Sequence, residues 1–152
     1  MAAPLIFALQ YSGPVKPIDK VPGVLRVKLT AASCRIQTEI GKTGVTSSIS
    51  KIPGGKAVLD SIVSVTGETT FIESGTLSFG RSGTTLTFST FGQASIGPSS
   101  DPKLTSGAAI WKVTGGTGQF KGATGYVTGN FFATDKGEAT DTQVAVIFPA
   151  KK

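Results

Sequence analysis

The chain has 152 residues, the size of a single domain, so one hydrophobic core is expected across 1–152. Apolar residues make up 39%, enough for such a core, while 20 Gly in a Ser- and Thr-rich background favour strands and turns over long helices. Lys and Arg number 15 against 9 Asp and Glu, a net charge of +6, yet the basic residues are spread singly (Lys16, Arg26, Lys42, Arg81, Lys121), which argues against the clustered basic face of a nucleic-acid binder.

The opening run Leu5–Leu9 is apolar but short and lacks a basic flank, so neither a retained signal peptide nor a membrane span is expected. Ser12 to Gly23 holds Pro14, Pro17 and Pro22 and reads as a long surface loop. Val24 to Thr30 then alternates, with Leu25, Val27 and Leu29 on one side and Arg26 and Lys28 on the other, the period of a half-buried strand. Cys34 to Ile40 repeats this period, setting Cys34, Ile36 and Ile40 against Arg35, Gln37 and Glu39. In Ala57 to Val65, the residues Leu59, Val63 and Val65 share a face.

Leu77–Phe79 and Leu86–Phe88 flank the short glycine-bearing stretch Gly80-Arg81-Ser82-Gly83, which predicts a hairpin. Gly92 to Ser106, with Pro98 and Pro102, reads as a second long loop, and loops of that length either connect strands or carry function. Strands over Ala108–Val113, Tyr126–Ala133 and Val144–Phe148 bring the count to eight to ten, suited to a closed barrel or a sandwich. No repeat of fixed period is present, which argues against a propeller or solenoid.

Between two of these strands lies Gly115-Gly116-Thr117-Gly118-Gln119-Phe120-Lys121-Gly122-Ala123-Thr124-Gly125. Its glycines tolerate positive φ and close backbone approach, and Phe120 between them can plug a barrel end. The stretch lacks the Gly-Lys-Ser/Thr ending of a phosphate loop, and a strand rather than a helix follows, so no nucleotide site is expected. With its flanking strands, from Ile110 to Val127, it resembles a strand–turn–strand of allene oxide cyclases, dirigent proteins and their bacterial relatives. The resemblance implies an all-β fold, an eight-stranded antiparallel β-barrel of the allene oxide cyclase/dirigent (calycin-like) type. It also implies assembly into dimers or trimers through the outer surface. Allene oxide cyclases enclose a reactive fatty-acid epoxide and shape its cyclisation with the help of a glutamate near the first strand; dirigent barrels steer the coupling of phenol radicals. Here the first strand, Phe7-Ala8-Leu9-Gln10-Tyr11, supplies no carboxylate, so the cyclase's acidic group has no counterpart there.

The chain contains no histidine and a single cysteine, Cys34. That excludes serine–histidine and cysteine–histidine nucleophile arrangements, Cys/His zinc sites and an intrachain disulfide. Cys34 itself reads as a small buried apolar residue, and a reducing, cytoplasmic compartment is expected. No metal and no cofactor are expected either, since the nine carboxylates show no ligand spacing.

Carboxylates able to act inside a barrel are Glu39, Asp60, Glu68 and Glu73. Period two groups Asp60 with Val58 and Ile62, opposite Leu59 and Val63. Asp60, Glu68 and Tyr126 are taken as the candidate catalytic acids and bases, because they sit in or beside strand-like stretches or follow the glycine turn. Trp111, Phe131 and Phe132 are the candidate ligand-lining aromatics, with core packing as the competing role. The leading function is a barrel binding an apolar or amphipathic small molecule and acting as a cofactor-free cyclase or isomerase, with no nucleic-acid or membrane partner. The alternative is a filled structural or protein-interaction barrel, and either is expected to be a homo-oligomer.

Overall fold

The computed structural model describes residues 3–151. Among the described residues the strands are β1 (Leu5–Pro17), β2 (Val24–Gly41), β3 (Gly44–Val65), β4 (Thr70–Phe79), β5 (Thr84–Thr90), β6 (Ala94–Pro98), β7 (Leu104–Thr117), β8 (Thr124–Thr134) and β9 (Glu138–Phe148). One 3-10 turn, Gly118–Phe120, joins β7 to β8. Every pairing is antiparallel, in the order β3-β2-β1-β9-β8-β7-β5-β4, and β4 returns to β3 from Ala57↔Phe79 to Val65↔Phe71. Eight strands thus close a ring, the barrel expected from the sequence, and β6 bridges β4 and β7 at one end.

Alternation decides which residues fill the ring. Val27, Leu29 and Ala31 of β2, Ala57, Leu59 and Val63 of β3, Leu86 and Phe88 of β5, and Ala145 and Ile147 of β9 are buried, while their neighbours in sequence face out. The hairpin read at Gly80–Gly83 is present, with Leu77 opposite Leu86. Phe79 packs edge-on against Phe7 and against Phe120, with ring centroids 5.7 and 5.5 Å apart. These three rings stop the barrel at the end where β1 begins and β9 finishes.

Three sequence readings are corrected. The stretch from Ser12 is not a loop, since β1 continues to Pro17. Val15 donates its N–H to Gly137, so Pro14, one residue earlier, directs its missing N–H toward β2, where the ladder skips from Ser12↔Thr30 to Val15↔Val27. Within Gly92 to Ser106, Ala94–Pro98 forms β6 and β7 already begins at Leu104. Cys34–Ile40 is the continuation of β2 past an irregularity at Ala32/Cys34, not a half-buried strand of its own. Together with Gly44–Lys51 it forms a two-stranded arm beyond the plugged end, and Arg35–Gly41 and Gly44–Lys51 are exposed throughout.

Candidate functional site

Opposite the aromatic plug the barrel is hollow. A cavity of about 370 Å³ lies between the C-terminal half of β1, the N-terminal half of β2, and the facing parts of β3, β4, β8 and β9. Its wall is mainly aliphatic, from Leu25, Leu29, Leu59 and Val63, with Phe71 and Phe131 meeting edge-to-face at 5.7 Å. A hollow beside Ile40 and Val45 on the arm, about 440 Å³, is formed only by exposed residues and encloses no buried polar group.

Two buried carboxyl groups line the apolar cavity, and the exposed Asp135 is a third acid on its wall. Glu73 on β4 is 8% exposed and Asp141 on β9 is 7% exposed. Period two accounts for both: Glu73 lies between inward Phe71 and Gly75, and Asp141 belongs to the inward series Ala139, Asp141, Gln143, Ala145, Ile147. Ser61 Oγ donates to Glu73 Oε1 at 2.5 Å. The Thr90 hydroxyl takes over the backbone of Glu73, accepting from its N–H at 2.7 Å and donating to its carbonyl at 2.9 Å. Gln143 Nε2 donates to Asp141 Oδ2 at 2.9 Å. Asp141 Oδ1 accepts no hydrogen bond and occupies the space that a side chain at Gly129 would fill, 2.7 Å from an added Cβ.

Tyr11 on β1 stands directly across the ladder from Asp141, and its buried hydroxyl has no partner. Trp111 on β7, stacked on Phe88 with centroids 3.8 Å apart, lies near enough to Glu73 to favour that residue's charged form. Its Nε1–H nevertheless meets no acceptor in hydrogen-bonding geometry. Burial pushes the Glu73 carboxyl up to about 7, helped by the nearby Asp141 and opposed by the Ser61 and Trp111 donors. Burial likewise pushes Asp141 up to about 6, against the Gln143 bond, and raises Tyr11 with a smaller contribution from Asp141. Both acids therefore exchange protons near neutrality, inside a wall that contributes no Lys or Arg among the described residues.

No family model and no curated protein sequence matches the chain. Among solved structures it is similar to the pterocarpan synthase dirigent protein GePTS1, with a TM-score of 0.57 and 16% identity over 97% of this chain and 91% of that one. It is also similar to the pterocarpan synthase dirigent protein PsPTS1, with a TM-score of 0.53 and 16% identity over 100% of both chains. The fold is a dirigent-type barrel.

In this dirigent-type barrel the residues nominated from sequence divide. Phe131 lines the cavity, whereas Trp111 is buried and is not among the lining residues. Phe132, next in sequence to Phe131, points outward and is 43% exposed. The three nominated acids and bases do not reach the interior. Asp60 lies on the outer face, in phase with Val58 and Ile62, and pairs with Arg26 at 3.0 Å. Glu68 stands in the exposed β3–β4 connection, and Tyr126 faces outward against Phe91 at 5.7 Å. Of the four carboxylates considered, Glu73 alone is inside, while Glu39 is on the arm. The apolar run that marks the last strand in the sequence starts at Val144, just after Asp141 and Gln143, which carry no apolar signal of their own. Extending its alternation three residues upstream places Asp141 and Gln143 in phase with Ala145 and Ile147.

Proposed function

We propose that this chain is a small-molecule barrel that takes an apolar or amphipathic ligand through its open end and steers a ring closure or isomerisation of it without a cofactor. The observation that carries this reading is the apolar cavity of about 370 Å³ with two buried carboxyl groups reaching into it. A filled structural barrel would have no reason to bury two acids without a cation, since each carboxyl loses hydration there. Confinement would hold a flexible substrate in one reactive conformer, and Glu73 and Asp141, poised near neutrality, would supply or accept a proton. The similarity to pterocarpan synthase dirigent proteins supports a reaction-steering barrel. Native mass spectrometry of protein drawn from its own host tests the reading: a copurified compound of small mass is expected. On the substrate so identified, Glu73→Gln or Asp141→Asn should cost roughly 10²–10⁴-fold in rate. Full turnover by both variants would leave shape control alone to carry the reaction.

A second proposal rests on the arm. Ile36 pairs with Ile49 and Ile40 with Val45 on one face, and all four side chains are exposed. A ribbon of two strands with a bare aliphatic face is marginal in water, which supports its being covered by another copy of the chain. Sedimentation at micromolar concentration should then give a mass above that of the monomer, and Ile40→Lys should lower it.

A further inference from the structure

The polar atoms facing this cavity are unevenly composed, and that restricts what can enter. Besides Glu73 and Asp141, its wall offers the carboxylate of Asp135, the hydroxyl of Thr134 and backbone, with no Lys or Arg among the described residues and no His in the chain. A ligand with a carboxylate or phosphate head would bring a negative charge to two acids and find no cation. A plain hydrocarbon would offer the Glu73 and Asp141 carboxyl groups on the wall no polar partner. Phe71 and Phe131, both on the wall, are aromatic rings of the kind that attracts a cation.

Taking the cavity as a small-molecule site, we propose that its ligand is a protonated amine on an apolar body, with the nitrogen at the Asp141 and Glu73 carboxyl groups that line the wall. One negative charge suffices to balance the ammonium, so of the two acids Asp141 pairs with it and Glu73 retains its proton. The ammonium is then balanced by one carboxylate, and the carbon skeleton covers the aliphatic wall formed by Leu25, Leu29 and Val63.

Three probes of one shape test the charge selectivity: 4-phenylbutylamine, 4-phenylbutanol and 4-phenylbutyrate. Trp111 is the sole tryptophan and lies near Glu73, so its fluorescence reports occupancy, with calorimetry as the second readout. The amine is expected to bind roughly 10- to 100-fold more tightly than the alcohol, the ratio that a charge-assisted hydrogen bond supplies over a neutral one. The butyrate should bind more weakly than either. In the double variant Glu73→Gln, Asp141→Asn the amine-to-alcohol ratio should collapse toward one; if that variant does not fold, the ratio in the unaltered protein still decides. Equal binding of amine and alcohol, or preferred binding of butyrate, would overturn the amine assignment while leaving the cavity a small-molecule site. Failure of all three probes to bind would overturn the small-molecule reading and the amine with it.

Discussion

Raising the pH from 5 to 8 should weaken this fold, because two of its carboxyl groups are buried in the form that holds a proton. In the unfolded chain Glu73 and Asp141 return to ordinary carboxylate values near 4, whereas in the barrel burial lifts them to about 7 and about 6. Between those limits the folded state retains protons that the unfolded state has released, so stability is fully present below the unfolded values and is lost as pH climbs through the folded ones. Each pH unit crossed in that window is worth about 1.4 kcal/mol per group. From pH 5 to pH 8 this comes to about 3 kcal/mol for Glu73 and about 1 kcal/mol for Asp141, a large part of the ~5–15 kcal/mol that holds a domain folded. The chain has no histidine, so no imidazole titrates across the same range to mask the effect. Urea denaturation at pH 5, 6, 7 and 8 should show the midpoint falling steadily, and Glu73→Gln should remove most of the slope. A midpoint that is flat or rises from pH 5 to pH 8 would refute the reasoning, because it would mean that the folded acids ionise as readily as exposed ones.

Gly129→Ala places a methyl carbon 2.7 Å from Asp141 Oδ1 and should cost about 1–3 kcal/mol in denaturation experiments, a penalty that shrinks when Asp141 is also cut back to Ala. Gly118 has φ +60°, and an added Cβ would lie 2.8 Å from Thr84 Oγ1, so Gly118→Val should lower stability by roughly 1–3 kcal/mol in the same assay. Asp60→Asn breaks only the solvent-exposed pair with Arg26 and should leave both the urea midpoint and any turnover unchanged.

The fold was legible because its signals are local. The alternation of Val24–Thr30 and Ala57–Val65, and the glycine turn between Leu77 and Leu86, each specify a strand or hairpin without knowledge of anything distant. Proline does not stop the first strand, although its chemistry alone predicts that it should. Pro14 is accommodated because its missing N–H falls where the β1–β2 ladder is already interrupted, a fact that belongs to the pairing and not to the residue. The site was harder to read, since which face of a strand is inside depends on its neighbours across the ring. Asp60 and Glu73 both interrupt apolar strands, yet Asp60 shares the outward phase of Val58 and Ile62 and Glu73 shares the inward phase of Phe71. Asp141 obeys the same argument, but it lies in the polar first half of β9, which begins at Glu138 rather than with the apolar run at Val144. The arm escaped notice because its alternation is that of a half-buried strand, although both of its faces meet solvent.

The seam between β1 and β9 joins the two ends of the described chain, Leu5 opposite Ile147 and Tyr11 opposite Asp141. Pairing residues so far apart carries a large loop-closure entropy, which makes this topology a slow one to complete compared with a fold built from neighbouring hairpins. On a ribosome, β1 must wait with its β9 edge open until Glu138–Phe148 has been synthesised. Asp141 arrives on that last strand. The acid pair is therefore finished only when the barrel is sealed, and a chain truncated before β9 would carry Glu73 without its companion.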